Sequence, residues 1–317
     1  MSAQIKVPDE LKADVPPTQW GKVLAATPIV MTVIATLLAG LSSSEMTRAQ
    51  YDRALAAQQQ SKAGDQWNYF QAKRLRAALQ RNTLDVIHGT APARAPDPAA
   101  FSSRFSQTGA RAVIETDGGR QAVESLSQGN LPSMGPDAEI DPRIASALTA
   151  VDAGRSDAEI AQLLAPVGET DLAAALRDAG ARVRRSDATL KPVNQAIDAI
   201  EKELLHPTGG VADGTDALAR EFVAARLWYA AQRYDMESRQ NQVIAQLYEL
   251  QVRKSNLSAE RHHARSQRFF YGMLAAQMGV IISTFSMAAR KQNFLWALAA
   301  AAGTGAVAFA AYVYLFV

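Results

Sequence analysis

The chain contains no cysteine. That single absence removes disulfides, thiolate catalysis, iron–sulfur clusters and cysteine-type zinc sites together. Histidine is scarce, with four in 317 residues, which leaves little for acid–base chemistry. An excess of one charge is missing as well. The 33 basic residues face 31 acidic ones for a net charge of +2, so no overall field favours nucleic acid. No phosphate loop, Gly-x-Gly-x-x-Gly, Gly-x-Ser-x-Gly or His-Glu-x-x-His occurs. Strand signals are nearly absent and reduce to Ala112-Val113-Ile114.

What the chain has instead is apolar sequence in three blocks: Val23 to Leu41, Phe269 to Ala289 and Phe294 to Val317. Each is about the ~20 residues that carry a helix across a bilayer core. None holds Asp, Glu, Lys, Arg or His, the groups a proton- or ion-coupled transporter needs within its spans. The segment before the first block is long, mixed in charge and carries Pro16 and Pro17, and Leu38 to Ser43 is a poor cleavage site. The first block therefore reads as a retained anchor rather than a signal peptide.

These blocks divide the chain. Residues 1–19 read as a disordered tail, 20–41 as the first transmembrane helix and 42–88 as its continuation outside the bilayer. Ser42 to His88 has no proline and one glycine, Gly64. Its Trp67, Phe70, Leu75, Leu79 and Val86 recur at helical spacing, predicting one apolar stripe. Gly89, Pro92, Pro96 and Pro98 then break the helix. Residues 89–215 read as a small helical tip domain or insert, with no fold assigned to 89–140. In it Asp141-Pro142 opens a helix, and Ser156 with Glu159 forms a capping box. Thr170 opens another helix, expected to end at Gly180, and a further one is expected from Pro192 to Leu205. Residues 216–268 form a second long amphipathic helix that feeds the second span, 269–289, with the third at 294–317. Two long helices, each continuous with a span, are expected to pair antiparallel. The expected fold is thus an all-α membrane protein with three transmembrane helices, a long antiparallel helical-hairpin stalk and a small helical tip.

The run from Gln59 to Lys73, with Asp65-Gln66-Trp67, the aromatic pair Tyr69-Phe70 and Gln71-Ala72-Lys73, resembles the bacterial family described as domain of unknown function 4337. The resemblance implies one N-terminal span and a C-terminal pair around a short basic turn, here Arg290-Lys291 with Trp296 just after. It implies no activity and no catalytic residue. The proline-rich middle, about 90–215, stands outside it as an insertion.

Candidate sites are correspondingly structural. Asp65, Gln66, Trp67 and Phe70 form a patch that either receives a partner or fixes the register of two packed helices. Gly272, Ala276, Gln277, Gly279, Ser283, Gly303 and Gly305 place small or polar groups where spans approach closely. His262 and His263 point about 100° apart on a helix and are ill placed to share a metal ion. With Arg253, Lys254, Arg265 and Arg268 they read as a basic belt beside lipid phosphates. Arg182, Arg184 and Arg185 read as a helix end complementing the macrodipole. No catalytic, cofactor-binding or metal residue is predicted.

The basic residues of the short segments, Lys6, Lys12 and Lys22 with Arg290 and Lys291, put the N-terminus and the last turn in the cytoplasm and the large region in the periplasm. The expected role is a non-enzymatic, multi-pass inner-membrane protein. It would be an oligomeric scaffold or an accessory subunit of a membrane complex, with the lipid bilayer and copies of itself or other membrane subunits as partners, and no cofactor or nucleic acid. The alternative is a channel or transport component built from several copies.

Overall fold

The computed structural model describes residues 19–90, 94–99, 110–135, 140–205, 215–288 and 292–316. Among them the assigned elements are all helices: α1 (Gln19–Thr90), α2 (Ala110–Ile114), α3 (Asp117–Gln128), α4 (Pro142–Asp152), α5 (Asp157–Leu164), α6 (Glu169–Leu205), α7 (Thr215–Ala288) and α8 (Gln292–Phe316). The expected disordered tail lies outside the described residues except for Gln19, as does the basic turn at Arg290 and Lys291. The chain divides into two compact units, one made of Met1–Leu55 with Ser255–Val317 and the other of Ala56–Lys254. Helices α1 and α7 each contribute to both.

In the first unit, α1, α7 and α8 are each long and apolar enough to cross a membrane. Their shared core is small: Ala35 and Leu38 from α1, Phe269 and Ala276 from α7, Ala306 and Val313 from α8. Most large apolar side chains here point outward instead, among them Ile29, Val33, Leu37, Phe285 and Tyr314.

The second unit holds two separate apolar clusters. One gathers Leu126 of α3, Leu190, Val193 and Ile200 of α6, and Phe222 and Tyr229 of α7. The other gathers Ile144 of α4, Ile160 and Leu164 of α5, Leu172 of α6, and Leu247 and Leu250 of α7. Each fully buried side chain of this kind contributes roughly 1.5–3 kcal/mol. Short helices begin where the sequence provides an acceptor. Thr116 caps α3 by accepting from the Gly119 amide at 3.0 Å. Asp141 caps α4 ahead of Pro142, and Ser156 with Glu159 completes the capping box of α5. Helix α3 closes at Gly129, whose φ of 71° is the left-handed conformation glycine adopts without strain. The Gly129 carbonyl then accepts from Trp228 Nε1 at 3.0 Å and from the Gln232 amide.

Four sequence expectations are corrected. Ala112-Val113-Ile114 is part of a helical turn, α2, and not a strand. Gly180 does not end a helix and Pro192 does not begin one, because both lie inside the 37-residue α6. A proline inside a helix costs about 3 kcal/mol. Here its neighbours Leu190, Val193 and Ile197 are buried in the first cluster, and Gly118 of α3 packs so close that an added Cβ would lie 2.9 Å from the Pro192 side chain. Tertiary packing overrides the local signal. Third, Arg182, Arg184 and Arg185 consequently sit mid-helix rather than at a helix end. Fourth, three of the five residues of the predicted apolar stripe of α1 lie off its buried face, while Trp67 and Phe70 are half-buried. Leu75, Leu79 and Val86 are 62%, 53% and 66% exposed.

Beyond its apolar block, the buried residues of α1 are mostly small and seven apart: Ala49, Ala56 and Ala63, then Ala77, with Leu84 next in the series. Helix α7 carries a matching series of Ala224, Ala231, Ser238 and Ala245, then Ala259 and Ser266. A repeat of seven residues keeps one narrow line of a helix facing a neighbour, and small side chains let backbones approach.

Candidate functional site

Trp67 of the Asp-Gln-Trp patch is half-buried, and its indole Nε1 donates to Glu249 Oε1 of α7 at 2.7 Å. Phe70 meets Trp67 edge to face, with ring centroids 5.3 Å apart, and the Arg74 guanidinium lies 5.7 Å over its ring. Gln66 is half-buried and Asp65 is exposed. Along the same two helices of the second unit, Lys73 pairs with Glu237 and Arg81 with Asp235. In the first unit, Ser42 Oγ donates to the Ser266 carbonyl at 2.9 Å, Ser266 Oγ donates to the Ser42 carbonyl at 2.8 Å, and His262 Nδ1 lies 2.5 Å from Glu45 Oε2. None of these bonded pairs is visible in sequence, because each joins residues more than 150 positions apart.

The seven span residues fall into two sets. Gly272, Ala276, Gly279, Ser283 and Gly303 are buried, whereas Gln277 and Gly305 are exposed. Met31 of α1 is the side chain the sequence did not single out. Its Sδ would lie 3.5 Å from a Cβ at Gly279 and its Cε 2.0 Å from one at Gly303, so one thioether fills the space that two glycines leave. Trp296 Nε1 of α8 donates to Thr27 Oγ1 of α1 at 3.0 Å. Ser283 and Thr284 spend their hydroxyls on the Val280 carbonyl of their own helix.

The basic belt read between 253 and 268 is partly committed elsewhere. Arg253 pairs with Asp157 of α5, and Lys254 Nζ donates to the Leu164 carbonyl at 3.0 Å. A cation at the C-terminal end of α5 complements its exposed carbonyls. Among the described residues no three His, Asp or Glu side chains are grouped to hold a metal ion.

A concavity of the second unit lies between its two apolar clusters. It is a cleft of about 770 Å³ bounded by α6, α7 and the residues Leu131, Met134, Gly135, Ile140, Asp141 and Ile144. Met134 and Met236 border it from one cluster, Ile140, Ile144, Val243 and Leu247 from the other. Arg182, Arg185 and Arg239 also line it, with Asp141, Asp171, Asp178 and Asp235. Most of these carboxylates are engaged. Arg143 pairs with both Asp141 and Asp171, and Arg81 pairs with Asp235. The hydrogen bond from the Arg143 side chain, aided by its backbone amide, holds Asp141 down at about 2. A general acid requires the opposite shift. Arg185 and Arg239 have no ion-pair partner among the described residues.

Residues 20–115 match the model of a family described as domain of unknown function (DUF4337). The match includes the Gln59–Lys73 run and all but the first residue of α1, and ends just past α2, so the C-terminal pair of apolar helices lies beyond it. No curated protein and no solved structure matches the chain.

Proposed function

We propose that this chain is a multi-pass inner-membrane protein that works by assembly rather than by catalysis. In this reading three spans anchor a stalk of two antiparallel helices, and several copies associate into a scaffold or join a larger complex as accessory subunits. The antiparallel stalk is supported by the order of the bonded pairs. In the second unit Trp67, Lys73 and Arg81 meet Glu249, Glu237 and Asp235 in turn, one number rising as the other falls. The matching series of small residues gives those helices a narrow seam. Membrane insertion is supported by the outward-facing Ile29, Val33, Leu37 and Phe285. In water they would be an exposed patch seeking cover, whereas lipid solvates them without cost.

The observation that carries assembly is the exposed row Leu75, Leu79 and Val86. It keeps helical spacing while the alanine series of the same helix faces inward, so α1 has two apolar lines and the chain itself covers one. Coiled-coil association of a second copy is the economical cover. Gln277 points the same way, because an exposed amide in the middle of a span finds a partner in another helix. Gln277 also favours a second reading, in which copies enclose a pore lined by that amide. Conductance of the purified protein in liposomes separates pore from scaffold.

The test of assembly is native mass spectrometry after mild extraction. Wild-type protein is expected as a discrete homo-oligomer or in fixed ratio with a foreign subunit. The double variant Leu75→Glu, Leu79→Glu is expected to release the monomer with unchanged helical circular dichroism. A wild-type chain that is monomeric and alone overturns the reading.

A further inference from the structure

Resting on the proposed assembly in a membrane, we infer that the outer face of α1 in the second unit pairs with the same face of a second copy, parallel and in register. The exposed row there is longer than its large residues. Asn68, Ala72, Leu75, Leu79, Asn82 and Val86 follow one another at alternating steps of four and three, and all six are exposed. That alternation is the repeat of a coiled-coil seam. At about 100° per residue, the line runs along the side of α1 opposite the buried Ala63, Ala77 and Leu84.

The side of a helix turned away from its own neighbours is normally where its charges stand. Here they stand elsewhere. The stretch from Asn68 to Val86 holds Lys73, Arg74, Arg76, Arg81 and Asp85, and none of them is on the line. Lys73 and Arg81 pair with Glu237 and Asp235 of α7. The Arg76 guanidinium lies 5.9 Å over the ring of Tyr234 of α7, and that of Arg74 lies 5.7 Å over Phe70. The outer line is left without charge, as the centre of a protein interface is.

A second copy is the occupant this line fits. Copies held by the proposed three spans enter the bilayer in one sense and stand at one height, so two α1 helices meet side by side with equal residues facing. The line is then complementary to itself, as a two-fold interface must be. Leucine meets leucine and valine meets valine. The carboxamides of Asn68 and Asn82 each donate and accept, so each bonds its counterpart across the axis. Polar layers of this kind fix register and chain number at a cost in stability. The area also suffices. The part of α1 in the second unit, Ala56 to Thr90, is ~50 Å long and a helix is ~10 Å wide. Each copy thus covers ~500 Å² and the pair ~1,000 Å², the size a specific interface has to reach.

Disulfide trapping of the full chain in the membranes of expressing cells tests this, and a chain without cysteine gives no background. Two thiols bridge only where their Cα atoms come within about 7 Å. Under a mild oxidant the single variants Ala72→Cys, Leu75→Cys, Leu79→Cys and Asn82→Cys should each shift to twice the monomer mass. Arg74→Cys and Arg76→Cys, on the flanks of the same turns, should stay monomeric. When differently tagged Leu75→Cys and Val86→Cys chains are made together, only like should join like, because the two positions stand ~16 Å apart along the helix. Adding Leu75→Glu and Leu79→Glu to Asn82→Cys should abolish its shift. Seam variants that stay monomeric, flank variants that bridge as well as the seam does, or Leu75→Cys joined to Val86→Cys would each overturn the inference. A mixed disulfide of another mass would put a foreign protein on the seam and overturn it too. Native mass spectrometry separates the two failures. An oligomer without the seam pattern removes this inference alone, whereas a solitary monomer removes the assembly reading with it.

Discussion

Gly303 and Gly305 are two positions apart on α8, yet their surroundings differ sharply. A Cβ at Gly303 would meet Met31, whereas nothing lies within 4 Å of one at Gly305. Gly303→Leu should therefore overpack the first unit and cost ~1–3 kcal/mol, read as an earlier melt in detergent, while Gly305→Leu leaves the melt unchanged. If Gly305 instead faces another copy, its leucine variant alters assembly and not the melt. Tyr229 supplies a pH test. Burial first, aided by Glu237 and opposed by Arg233, pushes its hydroxyl up to about 12, against about 10 in an unfolded chain. The unfolded state loses this proton first. The stability contributed by neutral Tyr229 is thus complete below pH ~10 and is lost as pH rises towards ~12. Tyr229→Phe should flatten that part of the wild-type melting curve against pH. A curve as steep in the variant would remove Tyr229 as a cause.

Helix elements were legible in proportion to how local their causes are. The capping box of Ser156 and Glu159 involves four consecutive residues, and α5 begins where it stands. Ser156→Ala should cost ~1 kcal/mol in the melt of the second unit. Helix α6 was not legible, because what carries it through Gly180 and Pro192 is burial of Leu190, Val193 and Ile197 against residues far away in sequence. The buried face of α1 is illegible for another reason. Large side chains dominate any apolar pattern, so Leu75, Leu79 and Val86 define the visible stripe and the alanines do not, although Ala77 is fully buried. Ala77→Leu should therefore lower the melting temperature, by ~1–3 kcal/mol equivalent, more than Leu75→Ala does. The reverse order would place the seam on the large residues. The patch at Asp65 to Phe70 was legible as an aromatic cluster, but its bond from Trp67 to Glu249 depends on register that no local pattern contains. The cleft was less legible still, since its lining is gathered from three stretches of chain.

At the scale of the whole molecule, the absence of cysteine becomes an experimental advantage, because any introduced thiol is unique. If the N-terminus is cytoplasmic and the large region periplasmic, as the basic residues of the short segments lead one to expect, Gln128→Cys should react with a membrane-impermeant maleimide in intact cells. Ser2→Cys should react only after permeabilisation. The opposite pattern reverses the expected orientation and is equally compatible with three proposed spans. The alanine series of α1 and α7 has one more consequence. A track whose teeth are alike every seven residues does not by itself say where two tracks mesh. Moved by one tooth, about 10.5 Å at 1.5 Å per residue, alanine would again face alanine or serine at most positions. Under the proposed stalk, the groups of the second unit that oppose the neighbouring notch are the unlike ones beside the track, Trp67 with Glu249, Lys73 with Glu237 and Arg81 with Asp235. In a stalk of the proposed kind these three pairs act as detents, and with all of them removed the two helices would gain a second resting position one notch away.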